Sequence, residues 1–520
     1  LQQKYDAIRH ALVLRMAYQV DSIAYLQHIY QIKLTMTMSR CSLLLGFLLL
    51  SLNLATAQQL DPCWSNDVVS THHSGMPNED KPDCPFTSTL QGAPQFAFSW
   101  PTFSSPNGGN GIIYAIATDG AGNWYVGGNF TLVNSSPSVS AHYIARFHAP
   151  TNTWSALGSG NGLNGEVRSI AILGNSLFVG GEFTQADAGS ASPVSVSNIA
   201  RFDISTNTWS ALGLGAGNGV DGRVYAITTL NHLVFVGGDF TRANVGSPSP
   251  TSADHIAIFD TKTNTWSNAG SSGVNGVVYA LAALGEDIFI GGDFTQVTGR
   301  SSLKATGIVR FHTKATQWSN LGSCSGVSGT SQPAVYAIAV SGEDVFIGGE
   351  FTQVNVGSSL TANYIARFNT ARNTWSALGT APGNGVNGAV NAIAVLGEYL
   401  FVGGFFTKAN LGATSPVMAS YIARYNLSTN AWSVFSSTSS INNEVYAIAS
   451  SGQDVFIGGN FSPSNPSASS SAPTSVVVRF NVSTNTWSVI GLDIGHLRLP
   501  QSEPPSFHRM FSLLPRPHVC

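Results

Sequence analysis

The chain has 520 residues, 43% of them hydrophobic and only 10% charged, with a net charge of −3. Its few Lys and Arg are scattered and form no basic stripe, which excludes the electrostatic footprint of a nucleic-acid binder. Richness in Gly, Ser, Thr and Asn fits many short strands joined by turns, and a repeat architecture can absorb this length as one domain.

Residues 1–35 precede Met36 and Met38 and are expected to lie outside the mature protein. Residues 36–57 read as a signal peptide: Arg40 is a basic start, Leu43 to Leu54 an apolar core, and Ala55-Thr56-Ala57 a small-residue cleavage site. A membrane anchor is the alternative, but the apolar run is shorter than the ~20 residues that span a bilayer. Cys41 falls in this segment. Residues 58–93 hold Cys63 and Cys84, for which an oxidising compartment implies a disulfide. Their spacing carries no zinc signature. Candidate N-glycosylation sites are Asn129, Asn134, Asn426, Asn460 and Asn481. The expected location is extracellular or at the cell surface. Residues 493–520, rich in Pro, follow no repeat and are expected to be a disordered tail.

Between these ends, residues 94–492 contain one unit seven times. An apolar run ends in a Gly pair whose second members are Gly128, Gly181, Gly238, Gly292, Gly349, Gly404 and Gly459. A Trp follows about 26 residues later, in a unit of about 55 residues. These are Trp154, Trp209, Trp266, Trp318, Trp375, Trp432 and Trp487, each followed by Ser. Each unit reads as four strands, a to d. In the fifth unit, strand a is 335–340, b is 344–351, c is 364–368, and d begins at Thr374-Trp375. Asn152, Asn207, Asn264, Asn373, Asn430 and Asn485 mark the c–d turn, where Asn tolerates a left-handed backbone.

A four-stranded sheet with two apolar faces must pack on its neighbours, and radial packing gives a propeller. The fold class is therefore all-β: a seven-bladed β-propeller of four-stranded antiparallel blades. The Gly pair is expected to make room for a bulky ring, the strand-d Trp of the same or a neighbouring blade. Trp100 stands 13 residues before Ile113, as Trp154 stands 13 before Val167. It either closes the ring by completing the last blade or remains from a lost one.

The apolar run ending in Gly-Gly, the Arg-Phe-Asp type strand and Thr-Asn-Thr-Trp together resemble the kelch repeat. The longer variant, Gly181-Glu182-Phe183-Thr184, is similar to the repeats of fungal bud-site cortical markers and related microbial surface propellers. The resemblance implies a surface protein.

Meander geometry puts the b–c and d–a connections on one face. The b–c loops are long and variable, such as Gln185 to Ser197 and Ser462 to Thr474, so this face is the expected binding surface for a protein or a cell-surface glycan. The d–a crossovers, among them Gly385-Val386-Asn387-Gly388, run to the axis there. Glu182, Asp239, Asp293 and Glu350 follow the Gly pair and are expected to pair with the strand-c residues Arg201, Arg310 and Arg367. Ile258 stands in place of that Arg in the third unit, which singles out Asp239 for test.

A copper oxidase of the galactose oxidase kind needs a His and Tyr ligand cluster. His142, His148, His232, His255 and His312 instead fall at unrelated repeat positions. The expectation is a binding module that is not an enzyme, with no cofactor and no metal. The alternatives are a surface structural or cortical-marker scaffold, and an extracellular carbohydrate-active enzyme.

Overall fold

The computed structural model describes residues 111–490, apart from 134–137, 214–216, 271–272, 300–302, 324–325, 356, 358–359, 380–381, 435–440 and 462–476. The expected leader, Cys63, Cys84, Trp100, Asn134, Cys324 and the tail lie outside the described residues. No helix occurs among the described residues, and so none long and apolar enough to cross a membrane.

The described chain is all-β, and its main elements are seven four-stranded antiparallel sheets in the order a-b-c-d. They span 113–155, 166–210, 223–268, 278–319, 334–377, 390–433 and 445–490, and are called here sheets one to seven. In sheet five the strands are Ala334–Ser341, Asp344–Glu350, Ile365–Asn369 and Thr374–Ala377. The a–b turn is tight because its Gly takes a left-handed backbone, with φ of 58° at Gly342 and 59° at Gly397. The c–d turn places Asn at φ between 54° and 57° in six sheets, as the sequence predicts. Thr316 takes that conformation in sheet four.

The sheets form a β-propeller in which each inner strand packs on the preceding sheet. Apolar clusters straddle neighbouring sheets: Phe346 of sheet five shares a core with Val390, Val402 and Trp432 of sheet six. Sheet seven packs on sheet one through Phe456, whose ring stacks on Trp124 at 3.6 Å between centroids. The strand at Trp487 is the fourth strand of sheet seven.

The Gly pair works differently from the expectation. A Cβ on the first Gly would strike the strand-a aliphatic of the next sheet: Gly348 meets Val390, Gly403 meets Val445, and Gly458 meets Ile113 of sheet one. A Cβ on the second Gly would strike a carbonyl of its own strand a, as Gly349 meets the Ala334 oxygen. The pair thus clears space for a neighbouring strand and a close backbone, and no Trp ring fills it. The Trp lies instead on the strand-c aromatic beside it, with centroids 5.0 Å apart for Phe368 and Trp375. It reaches the preceding sheet by a hydrogen bond: the Nε1 of Trp266 donates to the Leu212 oxygen at 3.0 Å, and that of Trp375 to the Leu321 oxygen at 3.0 Å.

The expected pairing between strand-c Arg and the acid after the Gly pair is also corrected. Register sets Arg367 opposite Phe346, so its side chain reaches back to Asp344 at the start of strand b, at 2.6 Å. Arg310 reaches Asp287 in the same way, and Arg479 reaches Asp454. Arg201 donates to the Ser176 hydroxyl. The acid after the Gly pair stands at the far end of strand b, several residues away at about 3.3 Å each. In sheet three both partners change together: Leu233 replaces the acid and Ile258 the Arg, and the two join one apolar cluster. In sheet six Arg424 lies over the Tyr399 ring, 4.6 Å from its centroid. One cross-strand contact is thus met by an ion pair, a hydrogen bond, a cation–π contact or apolar packing.

Candidate functional site

Every strand a carries a β-bulge at its second or third residue. In sheet five Val335 pairs with Gly349 and Ala337 with Gly348, so the register steps over Tyr336 between them. The same shift leaves out Tyr114, Arg168, Tyr225, Tyr279, Asn391 and Tyr446 in the other sheets. Bulges re-aim a side chain. Here they aim seven side chains at the mouth of the axis, on the face of the b–c and d–a connections.

These side chains touch round the ring. Centroids are 5.8 Å apart for Tyr446 and Tyr114, 5.4 Å for Tyr225 and Tyr279, and 5.5 Å for Tyr279 and Tyr336. The Arg168 guanidinium bridges the next pair, 4.4 Å from the Tyr114 centroid and 5.7 Å from that of Tyr225. Its charge is met by Glu166 at 2.6 Å. Sheet six breaks the ring, because Asn391 stands where a large side chain is otherwise found.

The acids expected to pair with strand c belong to this rim. Asp293 accepts hydrogen bonds from the Val277 amide at 2.7 Å and the Tyr279 hydroxyl at 3.2 Å. The Tyr336 hydroxyl donates to Glu350, and that of Tyr446 to Glu444. Glu182 takes Arg223 of the next sheet at 2.7 Å. Asp239 is exposed and lies opposite Arg223 in the ladder. Burial raises the Asp293 and Glu444 carboxyls above the usual carboxylate range. The same desolvation pushes the Tyr114 phenol up to about 12 and raises Tyr279 and Tyr336 as well.

A cavity of about 600 Å³ opens at the mouth and extends over sheet six. Its lining includes Tyr336, Glu350, Asn391, Glu444 and Tyr446, together with Phe405 and Tyr421. Phe405 occupies the position after the Gly pair where other sheets carry Glu, Asp or Asn, and it is 56% exposed. Tyr364 and Tyr421, just before strand c, hold a left-handed backbone at φ 63°. Their backbones are pinned from both sides: the Tyr421 amide donates to the Phe406 oxygen, and its carbonyl accepts from the Gly404 amide. Aromatic residues in that conformation are uncommon and cost free energy that the surrounding bonds must offset.

Among the described residues, parts of the connections on this face pair into small sheets. The d–a crossover Asn384–Val386 pairs with Lys408–Leu411, which pairs with Val417–Met418, so the b–c connection of sheet six begins as a small sheet. The Asn387 side chain accepts from the Thr407 and Lys408 amides at 2.8 Å each. Asn164, Asp221 and Asn275 do the same in their sheets. These crossover side chains are structural staples.

Among the sequons, the Asn129 amide donates to Glu166 at 3.0 Å and that of Asn481 to Asp454 at 2.8 Å. The Asn426 oxygen accepts from the Ser428 and Thr429 amides at the c–d turn, and Asn460 sits half-buried after its Gly pair. Among the described residues no group of three or more His, Cys, Asp and Glu is placed to hold a metal ion.

The tyrosine ring was missed in the sequence, although its signal is present. Five Tyr recur in one repeat phase, directly after the first aliphatic of strand a. Strict strand alternation treats that position as ordinary, and only the bulge turns it to the axis.

Residues 331–456 match the family model described as the Rax2 C-terminal beta propeller domain. That stretch includes all of sheets five and six and enters sheet seven. Over 153 residues the chain is 26% identical to "Polarized growth protein rax2" of Schizosaccharomyces pombe, covering 27% of this chain and 12% of that protein. The match therefore spans about an eighth of that relative's length. The computationally designed Ika8 protein is similar at a TM-score of 0.40 and 14% identity, covering 75% of this chain and 89% of that one. The family match and the repeated sheets support a β-propeller without distinguishing kelch-type repeats from others.

Proposed function

We propose that the chain is a seven-bladed, kelch-like propeller held at the cell surface as a scaffold of the cortical-marker kind, serving polarized growth. The observation that carries this reading is the match of residues 331–456 to the Rax2 propeller domain, to which the likeness to the fission-yeast polarized growth protein adds support. A closed ring of seven blades fits the seven sheets and the contact of Gly458 with Ile113. Delivery through the secretory pathway follows from residues 36–57, with the Cys63–Cys84 disulfide and N-glycosylation as its companions. The proposed role is non-enzymatic and calls for no cofactor. A second reading, favoured by the cavity at the axis, is a module that recognises a protein or glycan through the b–c and d–a face.

The test is to tag the full chain fluorescently in its source cell and to delete residues 334–433 in a second strain. The expected result is surface signal concentrated at growth sites, with misplaced growth in the deletion strain. Even intracellular signal, or normal polarity in the deletion strain, overturns the scaffold reading.

A further inference from the structure

The seven sheets are close copies, so the place where the copying fails is informative. Sheet six departs twice at the same end. Asn391 replaces the large side chain that closes the ring elsewhere, and Phe405 replaces the polar residue after the Gly pair. Together they open a notch beside the axis and line it with an exposed ring. The two large hydrophobic side chains that stand exposed among the described residues, Phe405 and Met418, both belong to sheet six.

The walls have mixed chemistry. Phe405 and Tyr421 offer ring faces, their centroids 6.1 Å apart and their planes tilted by 50°. Glu350 and Glu444 reach in from the sheets on either side, and Asn391 supplies an amide between them. Groups that donate and groups that accept thus alternate with aromatic faces. Hydroxyl groups on a puckered ring match this pattern, since each hydroxyl donates and accepts and the ring presents flat C–H faces. A Lys or Arg guest fits less well, because it only donates and Arg168 sits in the same lining. Burial shifts the Glu444 carboxyl toward its neutral form, which weakens the field that would draw a cation. The volume of about 600 Å³ is within the ~300–1,000 Å³ of small-ligand sites.

We propose that the notch over sheet six, between Phe405, Asn391, Glu350 and Glu444, binds a neutral oligosaccharide, with one pyranose ring stacked on Phe405. This deepens the binding-module reading of that face and is independent of where the protein resides in the cell.

The experiment is calorimetric titration of the purified full chain with laminaritriose, maltotriose, tri-N-acetylchitotriose and mannotriose, all neutral, and with trilysine as the cationic probe. Two variants accompany it: Asn391→Tyr, which restores the closed ring, and Phe405→Asp, which restores the polar rim. The expected result is binding of at least one trisaccharide, weakened about tenfold or more by each variant while the thermal midpoint is kept. If none of the trisaccharides binds, or one binds both variants as tightly as the natural chain, the proposal is overturned. Trilysine bound in place of sugar and lost in Asn391→Tyr also overturns it and assigns the notch to a basic peptide. None of these outcomes depends on the tagging experiment, so failure of the scaffold reading and failure of the glycan site are separable.

Discussion

The indole Nε1 of Trp432 donates a hydrogen bond of 3.0 Å to the carbonyl oxygen of Leu378, 54 residues earlier and one sheet back. Trp432 is 7% exposed, and its ring lies 5.0 Å from Tyr425 of its own sheet. One side chain therefore packs a sheet and ties it to its neighbour. The Leu378 oxygen also accepts from the Gly385 amide at 2.7 Å, so it stays bonded when the indole is lost.

Trp432→Phe is accordingly expected to cost about 1 kcal/mol, the worth of one hydrogen bond. Trp432→Ala, which also empties the packing, is expected to cost about 3–5 kcal/mol. Urea denaturation of both variants measures the difference: no loss in Trp432→Phe would remove the hydrogen bond from the account, and equal losses would remove the packing.

Gly403 and Gly397 separate two reasons for a glycine. A Cβ at Gly403 collides with Val445 of sheet seven, whereas a Cβ at Gly397 meets nothing within 4 Å and is opposed only by its φ of 59°. Gly403→Ala is expected to cost about 1–3 kcal/mol through overpacking. Trimming Val445→Ala in the same chain should recover part of it, so that the double variant loses less than the sum of the single losses. Gly397→Ala is expected to cost about 1–2 kcal/mol from its left-handed backbone, with no relief from Val445→Ala. Additive behaviour of Gly403 and Val445 in thermal melts would refute the collision.

Asp293 gives the fold a dependence on pH. Burial is the largest influence on its carboxyl and raises its pKa, against the hydrogen bonds from Val277 and Tyr279. A group raised in the folded state contributes stability that is complete below its unfolded value, about 3.9, and is lost as pH rises through the folded value. Asp293→Asn keeps the acceptor for Val277 and cannot ionise. Its melting temperature should match the natural chain at low pH and exceed it increasingly toward neutrality. A gap that is constant with pH, or of opposite sign, would be inconsistent with a raised carboxyl. Asp203 runs the other way: hydrogen bonds led by the Ser205 hydroxyl hold it at about 2, so its contribution is present at neutral pH and lost as pH falls through that value.

The sequence by itself determined the repeat, the strand order within it, the Asn turns and the face on which the long connections gather. These are local: a Gly pair, a Thr-Asn-Thr-Trp turn and an alternating apolar run act within a few residues, and self-comparison magnifies them sevenfold. What each marker touches was decided only in three dimensions. The Gly pair answers to a valine of the next sheet and to a carbonyl brought near by a bulge. The strand-c Arg answers to an acid at the opposite end of strand b, because register fixes which residues face each other. The tyrosine ring and the notch at Asn391 needed both. Their residues lie some 55 apart in the chain, and a one-residue bulge that no local pattern announces turns each of them toward a shared axis.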